Sequence, residues 1–169
     1  DMDDRSTLQL AIRSGATDGY RRFAFRDRQT RWRIEFPGSP DEYWKRFSGK
    51  RRYAQRARLK KFGTTNLERV TDVDQIPSFL AAAHGISKLS WQSRQFGLRI
   101  KNDENEYRQL SALARRGFLR SYLWSVEGKP AAFAICNQHA GSFRYEEIAY
   151  LSEFAPLSPG IAALWLIVE

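Results

Sequence analysis

The chain has 169 residues, enough for one domain with a sizeable core, and its 42% hydrophobic and 14% aromatic content excludes a disordered polymer. No apolar run is long enough to span a membrane and no signal peptide is visible, so a cytoplasmic location is expected. A lone cysteine, Cys136, excludes an intrachain disulfide and a cysteine-rich zinc site, and two histidines, His84 and His139, give little support to a metal centre.

Net charge is +9, and much of the excess is local: Lys45, Arg46, Lys50, Arg51, Arg52, Arg56, Arg58, Lys60 and Lys61 occur with no acid between them. Such a run is a solvated helix face or a surface for an anionic partner. No groove-reading motif accompanies it, so nucleic acid is not the expected partner.

Thr7–Ile12 and Arg31–Phe36 have strand character, the second alternating Trp32, Ile34 and Phe36 on one side. Ser39-Pro40-Asp41-Glu42 starts a helix with a cap, a proline at the first position and acids in the first turn. Ser48 caps a second helix from Gly49 toward Phe62, which carries the basic run; Tyr53, Ala57 and Leu59 are its inward candidates and Gly63 closes it. Leu67–Val70 is a short strand. From Asp72 a helix buries Val73, Ile76, Phe79, Leu80, Ala83 and Ile86, with Gly85 as an interruption. Asn102-Asp103-Glu104 starts another helix, with Tyr107, Leu110, Leu113 and Ala114 on one stripe and Gly117 at its end.

Three strands follow. Leu119–Val126 joins Pro130–Gln138 through Glu127-Gly128-Lys129, and His139-Ala140-Gly141 turns into Phe143–Leu151. Connections this short require antiparallel neighbours. The fold class is therefore α/β in layers, on a mainly antiparallel central sheet flanked by helices. The last strand runs into Leu157-Ser158-Pro159-Gly160 and an apolar helix. Ser158 reads as its N-cap and Pro159 as its first residue, and Gly160 permits close approach of another backbone or a ligand. A helix start with unpaired N–H groups is a natural phosphate seat, although an ordinary strand-to-helix turn has the same residues.

Ser90-Trp91-Gln92-Ser93, Val126-Glu127-Gly128-Lys129-Pro130-Ala131-Ala132-Phe133, Leu157-Ser158-Pro159-Gly160 and the basic stretch Ser48-Gly49-Lys50-Arg51-Arg52-Tyr53 fall in the order and rough spacing of a known family. From about Tyr43 to Glu169 the chain resembles the acetyltransferase 6 group of the GNAT superfamily, which is CelD-like and related to the FemAB aminoacyl transferases. The resemblance implies a GNAT-like acyltransferase. It implies an acyl-coenzyme A donor, acetyl-CoA as the expected case, whose pantetheine arm lies along Ile148, Ala149, Tyr150 and Leu151. The pyrophosphate would be received at Ser158, Pro159, Gly160 and Ile161. The chain departs from the group at Gln92, where a lysine is common after the tryptophan, and at Leu151, where an acid is common after the aromatic. The tyrosine that usually serves as general acid would lie beyond Glu169.

Acyl transfer to an amine needs a base, an oxyanion donor and a proton for the leaving thiolate, with no covalent nucleophile. Cys136 lies mid-strand without an activating partner and is not expected to serve as one. The base candidates are Glu147, the first choice, and Glu146, placed by strand alternation on opposite faces, Glu147 with Tyr145 and Ala149 and Glu146 with Arg144 and Ile148. Either could instead be paired with a nearby arginine. His139 is a further candidate at a hairpin end. Trp44, Trp91 and Trp124 would line an acceptor groove or fill the core.

The expected protein is a single GNAT-like domain over 1–169, an excerpt of a longer chain that stops within its last helix, Ile161–Val168. It transfers an acyl group, acetyl as the expected case, to an amine on a small molecule or saccharide, with no metal. The alternatives are a FemAB-like transferase using aminoacyl-tRNA, for which the basic helix would hold tRNA phosphates, and a non-catalytic module in polysaccharide biosynthesis or export.

Overall fold

A computed structural model describes residues 38–168; the strands expected at Thr7–Ile12 and Arg31–Phe36 lie outside them. In chain order the elements are α1 (Pro40–Lys45), α2 (Gly49–Lys60), β1 (Thr65–Val70), α3 (Ile76–Leu89), α4 (Trp91–Phe96), α5 (Glu104–Arg115), β2 (Ser121–Val126), β3 (Lys129–His139), β4 (Ser142–Tyr150) and α6 (Pro159–Val168). Short 3-10 turns, Val73–Gln75 and Ser152–Leu157, lead into α3 and α6. The polar residues ahead of the helices act as expected. Ser39 Oγ accepts from the Glu42 N–H, Ser48 Oγ from Arg51 and an Asp103 carboxylate oxygen from Glu106.

The four strands form one antiparallel sheet in the order β1-β2-β3-β4. The expected meander is present, with β2 shorter than predicted and Leu119 making an isolated bridge to Asn137. Both hairpins turn on two residues with positive φ, Glu127 (50°) with Gly128 (74°) and Ala140 (48°) with Gly141 (72°). Two such residues give the turn twist that suits right-twisted strands.

The sheet is covered on both faces. On one, Val70, Phe133, Ile135 and Ala149 pack with Ile76, Phe79, Leu80, Ala83 and Ile86 around α3 and with Leu110 of α5. On the other, Trp124, Val126 and Ala132 pack with Phe62 and with Ala162 and Ala163 of α6. Burial of these side chains, at about 25 cal/mol per Å² of apolar surface, is the main force that fixes the layers. α3 runs through Gly85 without the expected break. In α2 no residue is buried, and Tyr53, expected to face inward, is 75% exposed. Seven basic side chains on that helix and its cap residue, from Lys50 to Lys61, leave it too little apolar surface to bury a face. No helix among the described residues is long and apolar enough to cross a membrane.

β4 is an edge strand of the described sheet, and it carries a β-bulge. Ile135 lies opposite Glu147 and Cys136 opposite Tyr145, so Glu146 is an extra residue without a partner.

Candidate active site

The bulge overturns strict alternation. Glu146 and Glu147 do not face opposite sides of the sheet; both line one groove of about 390 Å³ with Gln92, Phe96, Arg99 and Ile148. An inserted residue shifts the pleat by one position, so neighbouring side chains come to the same side.

The two carboxylates are held differently. Arg99 grips Glu147 through both ends of its fork: Nε lies 3.2 Å from each carboxylate oxygen and Nη2 lies 2.7 Å from Oε2. The Glu147 hydrogen bond, and its charge second, raise the Arg99 guanidinium above its ordinary value. Glu146 is exposed and accepts one bond, from Asn137 Nδ2 at 3.2 Å. Of the two glutamates, then, one is paired with an arginine, though a distant one in sequence.

Arg99 is placed from α3. The Ile100 N–H donates to Ser87 Oγ (3.4 Å), and the Ile100 carbonyl is 2.9 Å from His84 Nδ1. Ser87 and Ile100 are buried, so this loop is pinned by two side chains one helical turn apart. His84 thus has a structural role. Arg99 and Asn137 were not singled out from the sequence, where nothing in their surroundings marks them.

The outer edge of β4 follows from its ladder. The Leu151 N–H donates to the Ala131 carbonyl, which places 151, 149 and 147 in the set whose backbone groups point to β3. Ile148 and Tyr150 therefore turn their N–H and C=O groups outward. Gln92 Nε2 donates to the Ile148 carbonyl at 3.2 Å, in agreement. Of the four residues expected along a bound arm, Ile148 and Tyr150 can offer backbone groups, whereas Ala149 faces β3 and Leu151 spends its N–H on the Ala131 carbonyl and its carbonyl on the Phe154 N–H.

The strand ends at the start of α6. Ser158 is not an N-cap of the expected kind. It is left-handed (φ 52°, ψ 60°), whereas an N-cap residue that bonds through its side chain is extended. Its carbonyl caps the helix, accepting from Ile161 (3.1 Å) and Ala162 (3.2 Å). Pro159 has no N–H, so the Gly160 N–H is the free donor of this first turn. A Cβ on Gly160 would lie 3.6 Å from Ile148 Cδ1 and 4.0 Å from Tyr150 Cε1, which is ordinary van der Waals contact, so the packing of α6 on β4 does not itself require a glycine here. Ile161 is 51% exposed beside it.

The remaining candidates lie elsewhere. His139 is at the hairpin end of β4, its ring 4.5 Å from that of Phe118, in a separate hollow with Asn137, Ala140, Ser142 and Arg144. About eight residues of strand, on the order of 27 Å, separate that hairpin from Tyr150. Burial, with a smaller contribution from the Glu146 charge, pushes the Cys136 thiol up to about 12, so it is no nucleophile at neutral pH. The tryptophans do not converge on a groove. Trp124 is in the core, Trp44 stacks on Trp165 at 3.7 Å between ring centres, and Trp91 is exposed beside Phe96. Large aromatic area is worth more inside the protein than lining a wet groove. No group of three or more His, Cys, Asp or Glu among the described residues is placed to hold a metal ion.

A four-stranded antiparallel meander with helices on both faces, ending in a strand that feeds an apolar helix, agrees with the resemblance read from the sequence. A family model described as the acetyltransferase (GNAT) domain matches residues 48–169, and the chain belongs to that family. The domain is an N-acyltransferase, and acyl transfer is its chemistry. A comparison with curated proteins found no match.

Proposed function

We propose that this domain moves an acyl group, acetyl in the simplest case, from acyl-coenzyme A to an amine on a small molecule or saccharide. The observation that carries this reading is the outward edge of β4. Ile148 and Tyr150 present amide-matching N–H and C=O groups, and the strand joins a helix start at one end and a two-carboxylate groove at the other. Amides of the pantetheine arm would pair with Ile148 and Tyr150. The Gly160 N–H and the positive end of α6 would receive the pyrophosphate beside Ile161. Coenzyme A supplies an activated thioester; the chain's own residues orient it and move the proton.

In the groove, Glu146 takes the proton from the attacking amine. Both oxygens of Glu147 are occupied by Arg99 N–H donors, so that carboxylate is held in place and serves as a fixed wall, while Glu146 is open to the incoming amine. The amine nitrogen forms the new C–N bond, the C–S bond breaks, and the thiolate leaves and is protonated by solvent. An outward N–H of the β4 edge would supply the donor for the carbonyl oxygen as it becomes negative. The aminoacyl-tRNA alternative would draw on the exposed basic face of α2 and would be strongly salt dependent.

Ile161→Glu tests the donor site by calorimetry with acetyl-CoA. An acid in the first turn suits the helix dipole, so folding is kept, while its charge repels phosphate. Affinity should fall by about tenfold or more, as a like charge at about 4 Å costs at least ~1 kcal/mol in water and more near a protein surface. Unchanged affinity would mean the phosphates sit elsewhere.

A further inference from the structure

Among the described residues, the side chain of Gln92 reaches the outward face of β4's backbone in the groove. Its Nε2 donates to the Ile148 carbonyl at 3.2 Å. Its Oε1 is buried and has no hydrogen-bond partner among the described residues. The orientation of the carboxamide is fixed by chemistry, because the reverse would set two acceptor oxygens against each other. Half of this amide is thus satisfied and half is not, which weakens its hold, since a buried acceptor without a donor forfeits its hydration.

The backbone that carries Gln92 is firmly held. Ser90 Oγ accepts from the Ser93 N–H and donates to the Ser87 carbonyl at 2.8 Å, and Arg94 Nη2 donates to Ser152 Oγ at 2.7 Å. Any release at this point therefore involves the side chain and not the helix. We propose that Gln92 is a stand-in for a ligand amide: in the free protein it occupies the Ile148 carbonyl, and the pantetheine arm of the donor displaces it. The inference rests on the reading of Ile148 and Tyr150 as the donor edge. On displacement, the Ile148 carbonyl exchanges one amide N–H for another, and the Gln92 oxygen reaches water. Gln92 then sets the strength of donor binding through competition.

Gln92→Met keeps length and volume and removes the competing donor. Calorimetry with acetyl-CoA should show about threefold to tenfold tighter binding than the unsubstituted protein, the size of one net hydrogen bond. ADP, which lacks the pantetheine arm, should bind both proteins alike. A second readout needs no substitution: in the unsubstituted protein, the Gln92 side-chain amide protons should exchange with solvent faster once acetyl-CoA is bound. Equal or weaker acetyl-CoA binding by the variant, or slower exchange of those protons in the complex, would overturn the stand-in role while leaving the donor edge intact. If acetyl-CoA binds neither protein, the donor reading fails and the stand-in role falls with it.

Discussion

The two halves of β4 do different things, and the bulge at Glu146 divides them. Residues 142–145 belong to a regular hairpin. There Tyr145 lies opposite Cys136, its hydroxyl is buried without a partner, and the exposed Phe143 and His139 face no carboxylate pair. Residues 147–150 have Glu147 clamped by Arg99, an outward edge at Ile148 and Tyr150, and Gly160 of α6 beside them. The extra residue turns a glutamate that alternation would bury in the opposite layer onto the groove. The candidate site thus lies where the strand departs from its own periodicity, a place where bulges commonly re-aim side chains.

The largest test of that contrast is catalytic. Glu146→Gln should lower kcat by about a hundredfold to ten-thousandfold, with little change in donor KM. His139→Ala, in the other half, should leave both near their starting values. A larger loss in Glu147→Gln than in Glu146→Gln would move the proton acceptor across to the arginine-paired carboxylate. Full activity in both glutamine variants, on a confirmed acceptor, would remove the base from this groove.

The other half shows itself in stability at alkaline pH. Burial holds the Cys136 thiol up to about 12, and burial also raises Tyr145 and Tyr122 above their ordinary range. These are raised acids, so the unfolded chain loses its protons first. Their contribution to stability is full below the unfolded values and declines as pH rises from about 9 toward 12, by up to ~1.4 kcal/mol per pH unit for the thiol. Denaturant unfolding across that range should show the decline, and Cys136→Ala should flatten its first part. A flat profile in the unsubstituted protein would mean these groups are not buried in solution.

The smallest effect is expected where β4 hands over to α6. Ser158→Gly should keep or slightly raise stability, because the left-handed conformation costs an ordinary residue roughly 1–2 kcal/mol. Ser158→Val should lower it by about that much or more. Urea midpoints decide this, and equal midpoints for the two would show that residue 158 is not left-handed.

Much of the sheet was legible because its turns are marked. Gly128 and Gly141 sit between strand-length runs rich in apolar and aromatic residues, and Ser39, Ser48 and Asp103 each precede a helix. The bulge was not legible, since Tyr145-Glu146-Glu147-Ile148 contains no glycine or proline to signal it. Ser158 misled for a related reason: serine before proline has the composition of an N-cap, but the preceding 3-10 turn forces a left-handed exit. Arg99 meets Glu147 across 48 positions and Gln92 meets Ile148 across 56, contacts that only the packing of α3 and α4 on the sheet creates. The candidate residues on β4 and α6 came from the sequence and the resemblance; the partners that define their chemistry came from the fold.

The most direct test of the donor edge is residue-resolved amide exchange with and without acetyl-CoA. Slower exchange is expected at Ile148, Tyr150 and Gly160, whose N–H groups face outward or cap nothing, with little change at Ala149 and Leu151, already bonded to β3. Binding of acetyl-CoA that leaves Ile148, Tyr150 and Gly160 unprotected would contradict the placement of the donor on this edge.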